Sequence, residues 1–289
     1  MIYCLISGGL GNQLFEIFTT IAYSIKLCRK SLFLYEDFNK NGCIIRPTYW
    51  NTFLKPIKYM ATSPLPNSII IKEKHFHYEN LIFPNNNENV ILNGYFQSYK
   101  YFDEYKDTLF NLIRLEKTRE KVIKLYNILN TSGEKYETFN EIISMHFRVG
   151  DYIKYPDIHP ILSYDYYYNS LSFILKNGGN YVVLYFCEDS DIEHVNSYIT
   201  RLQHDFYNVS FQRAPEIMED WQQLILISCC RCNIMANSTF SWWGSYFNRN
   251  YNKVICYPSI WFGKKLGHNT QDLFQPIWNK IGVDNTICC

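Results

Sequence analysis

The sequence predicts an α/β protein in which short apolar strands alternate with amphipathic helices. In the C-terminal half, strand-length apolar runs near residues 142–147, 181–186, 208–212, 232–236 and 253–257 alternate with helical patterns near 164–177, 190–203, 217–230 and 241–249. Such alternation is typical of parallel sheets whose strands are joined by helices. The N-terminus repeats the pattern, with a strand over 2–6, a helix over 14–27, a strand over 31–35 and a helix over 117–129.

A polar segment separates two domains of this kind. Residues 130–141 are rich in Asn, Thr and Glu and contain a glycine, which indicates a linker. We therefore predict an N-terminal domain over 1–135 and a C-terminal domain over 136–289. A chain of 289 residues that is 47% apolar is long enough for two such cores.

Composition argues against several function classes. A net charge of +1 provides no basic surface for nucleic acid or anionic lipid. No apolar run reaches the ~18–20 residues of a membrane span, and residues 1–6 lack the basic flank and length of a signal peptide. The ten cysteines do not form the two C-x₂-C pairs of a typical zinc site. We expect a cytoplasmic protein with free thiols, no stable membrane insertion and no metal.

The strand predicted at 142–147 ends in a cluster of reactive residue types. His146, Arg148, Gly150 and Asp151 fall within six positions. Ligands bind at the carboxyl ends of strands in open parallel sheets, and the planar donor fork of arginine fits phosphate oxygens. Gly150 allows a sharp turn, and Asp151 can orient the arginine. A purely structural salt bridge between Arg148 and Asp151 is the alternative.

A glycine-rich turn follows the first strand. Gly9, Gly11 and Asn12 lie between the strand and the helix, an arrangement that directs backbone N–H groups at an anion. A dinucleotide-binding fingerprint is a competing interpretation, because Gly9 and Gly11 match its first two glycines. Leu14 stands where that fingerprint needs Gly or Ala, which weakens the interpretation.

A third candidate anion site lies at the start of the helix predicted at 241–249. Asn237, Ser238 and Thr239 are residue types that cap helix N-termini, and Phe240 follows them. Of the two tryptophans at 242–243, one is expected in the core.

These segments resemble the α-1,2-fucosyltransferases of glycosyltransferase family 11. The matching motifs are Gly-Gly-Leu-Gly-Asn-Gln-Leu-Phe at 8–15, His-Phe-Arg-Val-Gly-Asp-Tyr at 146–152 and Asn-Ser-Thr-Phe-Ser-Trp-Trp-Gly at 237–244, with weaker matches at 94–102 and 184–189. The chain departs from the family pattern at Val149, where a second arginine is usual, and at Cys187-Glu188, which replace Ser-Asp.

The resemblance implies a glycosyltransferase B architecture, in which two Rossmann-like domains face a cleft. It implies an inverting transfer of L-fucose from GDP-fucose to a glycan hydroxyl, with O-2 of a terminal galactose as the expected acceptor atom. The domain over 1–135 is expected to bind the acceptor and the domain over 136–289 the donor. No cofactor and no metal are expected.

The resemblance also assigns roles to particular residues. Arg148, Asp151 and Asn12 are expected at the reacting centre, with Arg148 stabilising the departing diphosphate. The expected donor-binding residues are Gly9, Gly11, Asn12, His146, Arg148, Asp189, Asn237, Ser238, Thr239 and Phe240.

The acidic segment at 188–191 and the acceptor base are less constrained. The resemblance implies that Asp189 or Glu188 accepts guanine N–H groups. Asp189 and Asp191 also fit a metal-binding pair, and Asp191 alone fits a helix N-cap. For the acceptor base, Asp151, Glu16 and Asp37 all remain possible.

Two other function classes account for parts of the sequence. A non-catalytic sugar-binding module would bind glycans without releasing GDP from GDP-fucose. An NAD-dependent oxidoreductase would use the glycine-rich turn and would bind NAD.

Overall fold

Two parallel β-sheets, one in each half of the chain, form the framework of the protein. The computed structural model describes residues 1–41, 44–63, 67–84, 88–130, 135, 138–176, 178 and 180–283. By their internal contacts, Met1–Glu116 and His268–Gln275 form unit 1, whereas Lys117–Gly267 and Pro276–Cys289 form unit 2. The boundary predicted at residues 135 and 136 falls in a segment that lies partly outside the described residues, and it stays a prediction.

Unit 1 is built on a five-stranded parallel sheet with the strand order β5-β2-β1-β7-β6. Its elements are β1 (Ile2–Cys4), α1 (Leu10–Lys26), β2 (Ser31–Leu34), β3 (Phe38–Asn41), β4 (Ile44–Pro47), β5 (Ala61–Thr62), β6 (Ile69–Lys72), β7 (Val90–Asn93) and α2 (Lys106–Leu112). The antiparallel pair β3–β4 lies outside the main sheet. The strand order reverses direction between β1 and β7, because β2 lies on one side of β1 and β7 on the other.

The segment 268–275 joins unit 1 from far along the chain. The carboxylate of Asp272 accepts a hydrogen bond from the Tyr78 N–H at 3.1 Å and forms an ion pair with Lys100. Its carbonyl oxygen accepts a hydrogen bond from the Ser98 hydroxyl at 2.6 Å. A segment near residue 270 therefore forms hydrogen bonds and an ion pair with residues 78–100 of unit 1.

Unit 2 is built on a six-stranded parallel sheet with the strand order β10-β9-β8-β11-β12-β13. Its elements are α3 (Leu115–Leu129, which begins in unit 1), β8 (Ile142–His146), α4 (Tyr164–Leu175), β9 (Val182–Phe186), α5 (Ile192–Asp205), β10 (Ser210–Arg213), α6 (Asp220–Cys229), β11 (Cys232–Ile234), α7 (Thr239–Tyr246), β12 (Ile255–Pro258) and β13 (Asn279–Ile281). Every residue of β8 is buried, as expected for a central strand covered on both faces.

The predicted α/β class with parallel sheets is confirmed, and the C-terminal strands and helices lie close to their predicted positions. The start of α1 is a correction. The helix begins at Leu10, with Gly9 as its N-cap, and not at Leu14. Gly11 and Asn12 therefore belong to the first helical turn, where backbone N–H groups have no partner inside the helix.

Three smaller expectations also have an outcome. Trp242 and Trp243 are both fully buried, so both belong to the core. The described cysteines are free thiols, and most are buried. In the part of the chain that the structure describes, no helix is both long and apolar enough to cross a membrane.

Candidate functional site

The candidate site lies at the carboxyl ends of β8 and β11, where the strand order of unit 2 reverses. From β8 the chain adds β9 and β10 on one side, and then returns to place β11, β12 and β13 on the other. In open parallel sheets, the loops that leave two such strands diverge and create a crevice for ligands. Arg148 follows β8, and Asn237 and Ser238 follow β11, so both predicted motifs meet at this position.

Two carboxylates hold the guanidinium of Arg148. Its Nη2 lies 2.5 Å from Oδ1 of Asp151, and its Nη1 forms an ion pair with Glu188 beyond the neighbouring strand β9. Burial acts to lower the pKa of Arg148, but the negative charges of Glu188 and Asp151 outweigh that effect and raise the pKa. The guanidinium is thus a fixed cation with a defined plane, and the predicted salt bridge to Asp151 is one of two.

A short 3₁₀ turn, Gly150–Lys154, follows Arg148 and is held by Asp191. The backbone N–H of Gly150 donates to both carboxylate oxygens of Asp191, at 3.0 and 2.9 Å. Asp191 occupies the N-cap position of α5, as the sequence suggested, but its side chain makes no capping hydrogen bond there. The Asp191 carboxylate instead holds residues 148–154, hereafter called the Arg148 turn.

Glycine is favoured at position 150 for two reasons. Its φ of +27° lies in the region that favours glycine. A Cβ at this position would also lie 3.1 Å from Oε2 of Glu188, the carboxylate that holds Arg148.

The start of α7 lies against the same turn. Ser238 is the N-cap residue, and its hydroxyl oxygen accepts a hydrogen bond from the Phe240 N–H at 3.3 Å. The Tyr152 hydroxyl donates to the carbonyl oxygen of Asn237 at 3.0 Å. The rings of Phe240 and His146 lie 5.3 Å apart. These contacts join the Arg148 turn to a helix N-terminus whose dipole favours anions.

Asn237 organises the loops around that helix start. Its Nδ2 donates to the carbonyl oxygens of Pro160 at 2.9 Å and Trp261 at 3.2 Å, and its Oδ1 is buried without a hydrogen-bond partner among the described residues. Thr239 is the first residue of α7 and is partly exposed.

His146 is a neutral group at this site. Burial and, secondly, the nearby charge of Arg148 lower its pKa to about 3. Its Nδ1 is buried and has no hydrogen-bond partner within the described residues. Such an imidazole can donate or accept a hydrogen bond near neutral pH, but it is not a cation there.

A second arginine, which the motifs did not indicate, lies at the same edge of the sheet. Arg213 ends β10, and its Nη2 lies 2.5 Å from Oδ1 of Asp189. Its Nη1 forms an ion pair with Glu216. Asp189 is 74% exposed and follows β9. The available signal was the position of Arg213 at the end of a predicted strand, three residues before an acid.

The remaining predicted site residues, Gly9, Gly11 and Asn12, lie in unit 1 at its own strand reversal. They follow β1 and begin α1. Glu16 anchors this turn, because its carboxylate accepts hydrogen bonds from the N–H and the hydroxyl of Ser7, both at 2.9 Å.

The three candidate bases have different environments. Burial raises the pKa of Glu16 well above its ordinary value, and Ser7 occupies both of its oxygens. Asp151 is paired with Arg148. Asp37 is exposed and accepts a hydrogen bond from Asn51 at 3.3 Å. None is selected by its contacts as the acceptor base.

No metal-binding arrangement is evident in the regions that the structure describes. Within them, no three His, Cys, Asp or Glu side chains are grouped so that they could hold a metal ion. Asp189 and Asp191, the pair considered from the sequence, contact Arg213 and the Gly150 N–H respectively.

Comparison with known proteins yields one family and several relatives that are matched over most of their length. The model of glycosyl transferase family 11 matches residues 70–282. The chain is 28% identical to the Escherichia coli O-antigen biosynthesis glycosyltransferase WbnK, over 96% of this chain and 99% of that protein. It is 26% identical to an Escherichia coli alpha-1,2-colitosyltransferase, over 90% and 92% of the two chains. It is 25% identical to a Caenorhabditis elegans galactoside 2-alpha-L-fucosyltransferase, over 98% and 79%.

Proposed function

Because this chain belongs to glycosyltransferase family 11, we propose that it transfers L-fucose from GDP-fucose to O-2 of a terminal galactose on a glycan. The observation that carries this proposal is the position of Arg148, which lies at the strand reversal of unit 2 beside the start of α7. The relatives support the same chemistry, since one is a galactoside 2-alpha-L-fucosyltransferase and another is an alpha-1,2-colitosyltransferase.

The reaction needs a stabilised leaving group above all. As the bond between sugar and nucleotide breaks, negative charge accumulates on the diphosphate, and preorganised donors are most effective there. Arg148 supplies a fixed guanidinium, and the first turn of α7, capped by Ser238, supplies backbone N–H groups. Glu188 and Asp151 are about half exposed, so a phosphate can replace one of them at the guanidinium with little loss.

Other contacts support roles for the remaining residues. The neutral His146 is suited to a hydrogen bond with the nucleotide and not to phosphate neutralisation. We assign the donor to unit 2 and the acceptor to unit 1, with Asn12 as the sugar contact. The cationic group and the helix start together can stabilise a diphosphate without a metal ion, so we propose metal-independent transfer.

An acceptor-dependent assay tests this function. Purified protein is incubated with GDP-fucose and a panel of β-galactosides, and released GDP is measured alongside product mass. We expect GDP release only when a galactoside is present, with a mass gain of one fucose. Glycan binding without GDP release would support the sugar-binding alternative, and binding of NAD without GDP binding would support the oxidoreductase alternative.

Colitose is the second candidate donor sugar. The observation in its favour is the 26% identity to an alpha-1,2-colitosyltransferase over 90% of this chain. Running the panel with nucleotide-activated colitose beside GDP-fucose compares the two directly, and the larger kcat/KM identifies the donor.

A further inference from the structure

The loop that follows β7 in unit 1 has an unusual backbone. Gly94 has a φ of +154° and Phe96 a φ of +53°, although the Phe96 ring is completely buried. A bulky residue in the left-handed region costs about 1–3 kcal/mol and persists only where its surroundings require it. This loop lies at the strand reversal between β1 and β7, beside the glycine-rich turn that contains Asn12.

Glu73, which directly follows β6, holds the loop in this shape. Its Oε2 accepts a hydrogen bond from the Tyr95 N–H at 2.8 Å. A Cβ at Gly94 would lie 2.3 Å from Cβ of Glu73, so only glycine permits this approach. Burial raises the pKa of Glu73 to about 7, against the lowering effect of the Phe96 and Tyr95 N–H groups. The carboxyl group of Glu73 therefore lies in a place that disfavours its charge.

The loop ends at Gln97, which contacts Asn12. Gln97 is only 6% exposed, and its Nε2 donates a hydrogen bond to Oδ1 of Asn12 at 3.2 Å across 85 residues of sequence. Asn12 also lies close to Gly8, where an added Cβ would come within 2.7 Å of Nδ2 of Asn12. The hydrogen bond from Gln97 thus fixes the Asn12 amide, and the glycine at position 8 leaves room for it.

We propose that Gln97 is a positioning residue that sets the amide orientation of Asn12 for the transferred sugar, and that Glu73 supports it by anchoring residues 94–97. This inference rests on the proposed function, in which Asn12 contacts the sugar. It assigns a role to the segment 94–102, whose motif the donor site of unit 2 does not use.

A double-mutant cycle tests the inference. Gln97→Met keeps the side-chain volume and removes the donor, and Asn12→Ala removes the group that it orients. We expect each single variant to lower kcat/KM for transfer by about 10- to 100-fold, since small misplacements of reacting groups have effects of this size. The double variant should be no slower than Asn12→Ala, because Gln97 acts through Asn12. GDP affinity, measured by calorimetry, should be unchanged in all three.

Ser98→Ala is the matched control. Ser98 is buried next to Gln97 but donates to Asp272 and not to Asn12. Its effects on rate and melting temperature should add to those of Asn12→Ala. If Gln97→Met does not fold, Gln97→Glu offers a second test, since it places an acceptor opposite Oδ1 of Asn12 and should lower kcat/KM at least as much.

The anchoring role of Glu73 has its own comparison. Glu73→Gln keeps a carbonyl oxygen for the Tyr95 N–H and should retain kcat/KM within a few-fold of wild type, whereas Glu73→Ala should resemble Gln97→Met. Loss of activity in Glu73→Gln, additive effects of Gln97→Met and Asn12→Ala, or full activity of Asn12→Ala would each overturn the inference while the wild type still transfers fucose. An inactive wild type would instead overturn the proposed function, and this inference with it.

Discussion

Replacing Arg148 by alanine should separate catalysis from stability. The side chains of Asp151 and Glu188 are 46% and 53% exposed, so solvent screens both ion pairs, and each contributes at most about 1 kcal/mol. Their loss should lower the free energy of unfolding by no more than about 2 kcal/mol. Losing a donor to the departing diphosphate should lower kcat by about 10²–10³-fold, or about 2.7–4 kcal/mol. Urea unfolding and steady-state GDP release measure the two effects on the same preparation.

Arg213→Ala is the matched control for this prediction. Arg213 is 19% exposed against 21% for Arg148, and it also pairs with two carboxylates at the same edge of the sheet. The Arg213→Ala variant should lose about as much stability as Arg148→Ala but keep kcat within about 10-fold of wild type. Arg148→Lys should recover little activity, because an ammonium group lacks the bidentate fork. Equal rate losses in the two alanine variants, or near-normal activity of Arg148→Ala, would show that Arg148 serves only the fold.

Four further outcomes are expected. Gly150→Ala, which combines a φ of +27° with a Cβ 3.1 Å from Glu188, should lose about 1–3 kcal/mol of stability and most of its turnover; an unchanged melting temperature would contradict this. The pKa of His146 is about 3 in the folded protein, so between pH 3 and 6.5 the folded state binds fewer protons at this residue than the unfolded chain does. The free energy of unfolding of the wild type should therefore fall on acidification by up to about 1.4 kcal/mol per pH unit, and His146→Gln should lose this pH dependence. Identical urea unfolding curves at pH 4.5 and 7 would count against this prediction. EDTA should leave turnover unchanged, and a loss restored by Mn²⁺ would refute metal independence. Proton NMR should show an α-linked first product, because a single displacement inverts the β linkage of GDP-fucose. A β-fucoside as the first product would exclude that mechanism.

The parts of the site that could be predicted are local in sequence. A buried strand followed by Arg148, Gly150 and Asp151 specifies both the turn and its ion pair within a few residues. Likewise, Ser238 beside Asn237 marks the start of α7 from capping preference alone. Such features depend on the backbone of one segment, and no knowledge of strand order is needed to infer them.

The parts that could not be predicted depend on strand order. Glu188 reaches Arg148 only because β9 lies beside β8, and Gln97 reaches Asn12 only because β7 lies beside β1. The early start of α1 was missed for a different reason. Glycine has low helix propensity in helix interiors, but the first turn tolerates it, and so Gly11 is helical. The contacts of Arg148 with Glu188 and of Asn12 with Gln97 therefore depend on tertiary structure and not on the local sequence.

The return of residues 268–275 to unit 1 has a consequence for biosynthesis. Asp272 accepts hydrogen bonds from the Tyr78 N–H and the Ser98 hydroxyl and forms an ion pair with Lys100. During translation, it is made long after these three partners. Residues 117–267 of the second unit must therefore be synthesised before the first unit can acquire residues 268–275, and β13, the edge strand of the second unit, follows only a few residues later. Both units are consequently completed by residues that lie close together in sequence, and a chimera joined to a relative at a single crossover between the units would exchange residues 268–275 of the first unit together with most of the second.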